Sequence, residues 1–135
     1  MTPLKVILLV KIFFTAICWS LPLLFFPVQA SELLGAPLPE PVLYARLLGA
    51  AFFALLIGYI HGLIDLNRGR SIVHTVLVGI VSNGLSGILL LIFKEEWSLW
   101  SITARCFMWL SVIVTLSVAV GLVAYGRLFE ASSQR

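Results

Sequence analysis

Four long apolar runs constrain the fold of this chain more than any other feature. They lie near residues 6–26, 44–64, 72–93 and 102–125. Each is long enough to cross about 30 Å of hydrocarbon as a helix that rises about 1.5 Å per residue. Lipid offers no hydrogen bonds, so a spanning segment has to satisfy its backbone internally, and a helix does this within one segment.

Composition supports a membrane setting. The 135 residues are 61% hydrophobic and 11% charged, whereas soluble domains are roughly 45–50% apolar and about 25% charged. Too few charges are present to cover a water-exposed surface. The sequence therefore predicts an all-α fold: one integral membrane domain over residues 1–135, a four-helix bundle with up-down topology.

The first run has two interpretations. Lys5 and Lys11, the apolar stretch and the small-residue site Val28–Ala30 are also typical of a secretory signal. We expect the run to be retained as the first span. Lys11 lies about one and a half turns inside it, so we expect its side chain to snorkel towards the nearer membrane surface. Pro22 is expected to bend the far half.

The three connections are short. Pro27–Leu43 is rich in proline and predicts an extended loop, and Asp65–Ser71 predicts a tight turn. Lys94–Trp100 carries Trp97 and Trp100, which we expect at a membrane–water interface.

Basic residues are distributed unevenly between the two ends of the runs. Cytoplasmic connections carry an excess of Lys and Arg. The larger set of basic residues therefore predicts that both termini and the Asp65–Ser71 turn lie on the cytoplasmic side of a bacterial inner membrane. Six basic residues share that side: Lys5, Lys11, Arg68, Arg70, Arg127 and Arg135. Three lie on the other: Arg46, Lys94 and Arg105.

Small residues recur every four positions in runs two and three. Residues four apart share a helix face, and small side chains there let two backbones approach closely. We predict that the two runs pack through these ridges as a tight hairpin. An alternative is a narrow cavity for a lipid tail or quinone. The ridges are Ala50, Ala54, Gly58 and Gly62, and Thr75, Gly79, Asn83 and Gly87.

Asn83 is the most deeply placed strongly polar side chain. A buried amide in lipid needs partners, and run four offers Ser111, Thr115 and Ser117. The favoured interpretation is a structural hydrogen bond between helices, and the alternative is a ligand contact.

Arg46 and Arg105 are the best candidates for holding a ligand. Each lies near the outer start of its run, where a guanidinium suits an anionic lipid headgroup or a quinone carbonyl. The alternative is that they snorkel or pair with acidic loop residues.

His61, Asp65 and His74 could meet at the turn, and such side chains are metal ligands. Their spacing matches no metal motif, so we predict a hydrogen-bonded closure of the hairpin or a pH-sensitive contact in preference to a metal site. Cys18 and Cys106 lie in apolar runs and are expected to be inert.

Several function classes lack support. None of the runs holds an acidic residue well inside it, which disfavours a proton-coupled exporter. Catalytic motifs and glycine-rich phosphate loops are missing, and the basic residues form no cluster for nucleic acid.

The segment from Tyr44 to Arg70 resembles the central part of DoxX-like small four-helix membrane proteins. Arg46, Gly49 and the turn Asp65–Arg70 carry the resemblance, which covers about a third of the chain. It implies an accessory or quinone-adjacent subunit and assigns no catalytic residue.

Our leading hypothesis from the sequence is a non-catalytic accessory subunit that packs against a larger membrane protein or against itself. The extramembrane parts are too small for an independent soluble task. Two alternatives remain open: a lipid- or quinone-binding protein or redox subunit, and an oligomeric transporter or channel. We predict no tightly held cofactor beyond a bound lipid or quinone.

The charge bias yields a test of orientation. In cells that express the chain without Cys18 and Cys106, we expect an impermeant thiol reagent to label a cysteine at Ala36 but not one at Asn67. The opposite labelling pattern would reverse the orientation.

Overall fold

The computed structural model describes residues 2–36 and 38–133, with side chains up to Gly126. Every regular element in these residues is helical, and four helices are long and apolar enough to cross a membrane. The predicted all-α class and the four candidate spans are therefore confirmed, with ends within a few residues of the expected ones. Arg135 and the Arg127 side chain lie outside the described part. The spans are Pro3–Phe25, Leu43–Asn67, Val73–Ile92 and Ile102–Gly126, the last within a helix that runs to Ser133.

The first span contains a widened turn. An α-helix over Pro3–Phe14 is followed by a π-helix over Thr15–Ser20 and an α-helix over Leu21–Phe25. The amide of Leu21 donates to the carbonyl of Ala16, five residues back. Pro22 explains the widening, because proline has no amide to donate and its ring clashes with the carbonyl four residues earlier.

The widened turn changes which residues share a face. Thr15 is 1% exposed and Ser20 is 0% exposed, although they are five residues apart. In an α-helix that separation turns the side chains about 140° away from each other. The wider turn of a π-helix, whose hydrogen bonds join residues five apart, reduces this angle, so both hydroxyls can point into the bundle.

The spans form two close pairs. The third span packs along the fourth, and the second packs against the far half of the first. The small positions of the third span accept large side chains of the fourth: a Cβ added at Gly79 would lie 2.5 Å from Leu122, and one at Gly87 would lie 2.6 Å from Leu116.

The second and third spans therefore do not pack along their length as the predicted tight hairpin. The two spans touch mainly near their connecting turn, where Gly62 meets Thr75. Further along, Ala50, Ala54 and Gly58 are exposed, and a Cβ added at Gly58 meets nothing within 4 Å. Large side chains of the fourth span fill the space beside Gly79 and Gly87 of the third, so the two small-residue ridges meet at Gly62 and Thr75 and not further along.

Gly49 marks the closest approach of the first two spans. A Cβ at this position would lie 2.9 Å from the backbone nitrogen of Leu24. The Ser20 hydroxyl donates to the Gly49 carbonyl at 3.3 Å, so a polar contact joins the same crossing.

The connections contain more structure than expected. A short helix, Val28–Leu33, replaces part of the predicted extended loop. Beyond it, the Ser101 hydroxyl donates to the Leu34 carbonyl at 2.6 Å, which ties the first connection to the start of the fourth span. Trp97, in the short helix Lys94–Ser98, is 4% exposed and donates to the Leu90 carbonyl at 3.1 Å. It therefore points inward and does not face an interface.

The two glycines of the second span offer a matched test of packing. Gly49→Ala should lower the melting temperature in detergent, because its methyl group meets backbone and overpacking typically costs about 1–3 kcal/mol. Gly58→Ala should leave it unchanged or raise it, since Ala is the better helix former by about 1 kcal/mol. Equal melting temperatures for the two variants would contradict the crossing at Gly49.

Candidate functional site

Lys11 lies inside the bundle. Its residue is 7% exposed, and its Nζ is 5.6 Å from the centroid of the Tyr59 ring on the second span. The expectation that Lys11 snorkels to the surface is therefore wrong. It lies eight residues beyond Pro3, about 12 Å along the helix axis, on a face that packs against other spans.

The charge of Lys11 has no acidic partner among the described side chains. The ion pairs found there are Arg70 with Asp65 and Lys94 with Glu95, both largely exposed. A cation over a desolvated ring gains about 2 kcal/mol, whereas removing an ammonium from water costs several kcal/mol. The ring therefore offsets only part of the free energy needed to bury Lys11.

A cavity of about 270 Å³ lies beside Lys11. All four spans contribute to its wall, which is mainly apolar with a few polar groups. Its polar lining residues are Lys11, Thr15, Ser86 and Thr115. Its aromatic lining residues are Phe14, Trp19, Phe52, Phe93 and Trp97.

Aromatic contacts hold the wall of this cavity. The Trp19 ring is tilted against two others, with centroids 5.8 Å from Phe52 and 5.6 Å from Phe107. Trp97 meets Trp109 edge to face at 5.3 Å. Such pairs are worth about 0.5–1.5 kcal/mol beyond the area they bury. The lining rings are therefore held by neighbours on other elements.

The hydroxyls around the cavity differ in whether they already donate a hydrogen bond. Thr115 donates to the Ser111 carbonyl at 2.8 Å, so its proton is already used. Thr15 is 1% exposed, and its Oγ1 has no hydrogen-bond partner in the described part of the chain. Buried polar atoms are normally paired. Thr15 thus presents an unused donor one turn from Lys11.

Asn83 is 1% exposed, as its central position predicted, but its partners are different. Its amide donates to the Gly79 carbonyl at 2.6 Å, within its own helix. Ser111 and Thr115 donate to carbonyls of the fourth span, so the expected bonds to Asn83 are not formed. The Tyr59 and Ser82 hydroxyls, 2.8 Å apart, supply the contact between helices. Asn83 Oδ1 is buried without a partner.

Arg46 forms hydrogen bonds with the end of the first span. Its Nη1 donates to the Leu23 carbonyl at 2.7 Å and its Nη2 to the Phe26 carbonyl at 2.8 Å. The last carbonyls of a helix lack partners within the helix, and the guanidinium fork supplies them here. The proposed headgroup contacts of Arg46 and of the exposed Arg105 stay predictions.

The three weak metal candidates are not brought together. His61 Nδ1 donates to the Ile57 carbonyl at 2.9 Å, and Asp65 lies 3.4 Å from Arg70. No group of three metal-ligating side chains occurs among the described residues.

Comparison with known proteins found no match to a protein family, a curated protein or a solved structure. The resemblance to DoxX-like proteins therefore stays a prediction. Functional inference for this chain depends on the geometry of its own residues.

Sequence reasoning missed the cavity. Two signals pointed to it: Lys11 and Thr15 are four residues apart in an apolar run, and Pro22 follows within two turns. A charge and a hydroxyl on one face of a span, next to a residue that distorts the helix, indicate an internal polar site. The contribution of Ser86 and Trp19 follows only from the helix pairing.

A buried cation without an acidic partner should reduce stability. Lys11→Met keeps a similar side-chain length and removes the charge, so in protein stripped of bound small molecules we expect its melting temperature in detergent to rise above that of the wild type. Lys94→Met, at an exposed position, is the control and should change little. A lower melting temperature for Lys11→Met would show that the charge contributes to the fold.

Proposed function

We propose that this protein binds a small lipophilic molecule with an oxygen-bearing head, of the lipid or quinone class, in the cavity between its spans. One observation carries the proposal: Lys11, 7% exposed and without an acidic partner among the described residues, lines a cavity of about 270 Å³ inside the membrane-spanning bundle.

The lining of the cavity supports this class of ligand. Small-molecule sites are typically about 300–1,000 Å³, mostly apolar, with few polar groups that orient the ligand. The cavity, at about 270 Å³, lies just below that range. Its aromatic rings suit a flat ring or a single chain, and Lys11 and Thr15 supply donors for a carbonyl or an anionic oxygen.

The membrane arrangement is part of the proposal. We place the spans up and down through a bacterial inner membrane, with both termini and the Asp65–Ser71 turn in the cytoplasm, from the distribution of basic residues. Lys11 then lies in the cytoplasmic half of the bilayer, and Trp97 lies near the outer end of the cavity.

An accessory-subunit role stays a prediction beside this proposal. The exposed apolar side chains of the spans suit a partner protein and lipid equally, so they do not favour one over the other. The cavity is the more specific feature, because lipid alone gives no reason to bury a cation.

Filling the cavity tests the proposal. We expect native mass spectrometry of protein from mild detergent to show one retained small molecule on the wild type. Ser86→Trp places a ring in the cavity and should remove it. Ala50→Trp adds the same side chain at an exposed position and is the control. A circular dichroism spectrum like that of the wild type shows that each variant is folded. Equal retention by both variants, or no retained molecule on the wild type, would refute the proposal.

A further inference from the structure

We infer that the ligand carries an anionic oxygen, a carboxylate on an apolar body, and that Lys11 sets this preference. The inference rests on the proposed function, because it names the ligand class for the same cavity. It is carried by the charge of Lys11 together with the unused donor of Thr15.

The charge balance of the bundle is the first argument. The acidic side chains Glu32, Glu40, Glu95 and Glu96 lie in the connections, outside the four spans. Asp65, in the last turn of the second span, lies 3.4 Å from Arg70 and so already has a cationic neighbour. The described part of the chain therefore holds no counter-ion for Lys11. A bound anion would supply one in a region where charges are only weakly screened.

The donors are the second argument. Lys11 and Thr15 are one turn apart on the same face of the first span, and both line the cavity. Thr15 Oγ1 is buried without a hydrogen-bond partner, whereas the Thr115 hydroxyl across the cavity already donates to its own helix. One ammonium and one free hydroxyl match the two acceptor oxygens of a carboxylate.

Depth and size favour a ligand with one tail over a two-tailed phospholipid. Lys11 lies about 12 Å from the start of its span, well below the headgroup region. A cavity of about 270 Å³ has room for one compact apolar body beside it. A single-chain or aromatic acid fits both limits.

Two probes that differ only in charge test the inference. We would titrate 11-bromoundecanoic acid and its neutral primary amide into purified protein at pH 7.5, where the acid is ionised. Bromine quenches nearby indoles, and Trp19 and Trp97 line the cavity, so tryptophan fluorescence reports binding. We expect the wild type to bind the acid at least about tenfold more tightly than the amide.

The variants assign the preference to Lys11. Lys11→Met should bind the two probes equally, and Lys11→Arg should keep the preference for the acid. Lys5→Met, on the same span but nearer its end, is the matched control and should behave as the wild type. Thr15→Val retains the charge and should weaken binding of the acid by about three- to tenfold.

Two results would overturn the inference: a wild type that does not favour the acid, or a Lys11→Met variant that keeps the preference. Either result can occur while Ser86→Trp still loses the retained molecule. In that case the inferred ligand class is wrong, but the proposed function still holds. Loss of the proposed function would appear as equal retention in Ser86→Trp and Ala50→Trp.

Discussion

The widened turn over Thr15–Ser20 is the feature on which the interior of the bundle depends. In a regular helix, Ser20 would point away from Thr15, and the polar groups of the first span could not all face the other helices. With the turn widened, Thr15 lines the cavity while Ser20 donates to Gly49 at the crossing with the second span. One local distortion next to Pro22 thus serves both the cavity and the helix packing.

The second span also holds the end of the first span. Arg46 donates to two carbonyls that the helix leaves without partners, and Gly49, one turn further along, lets the backbones approach closely. Charge-assisted hydrogen bonds are shorter and stronger than those between neutral groups. The second span therefore fixes the far half of the first. The near half of the first span, with Lys11, faces Tyr59 of the second span.

The spans could be predicted from the sequence, but their pairing could not. Hydrophobic length sets where a helix crosses a membrane, so all four spans appeared within a few residues of their expected ends. Apolar side chains cover both the inside and the outside of a membrane protein, so periodicity does not distinguish the two faces. The stripe Ala50, Ala54 and Gly58 therefore looked like an interface and is exposed. The depth of Lys11 alone predicts that its side chain reaches the surface, but the face that it occupies is buried by the pairing of the spans.

The apolar walls of the cavity bear on which part of a ligand, its tail or its head, determines selectivity. A lipophilic ligand enters the cavity from the bilayer. Its hydrocarbon part is therefore surrounded by apolar groups both before and after it binds. Transfer of the tail into the cavity then contributes little to selection, unlike transfer from water. In the function that we propose, selection is therefore left to the head of the ligand, at Lys11 and Thr15. Molecules with very different tails but the same head should compete for this protein on nearly equal terms, as long as they fit.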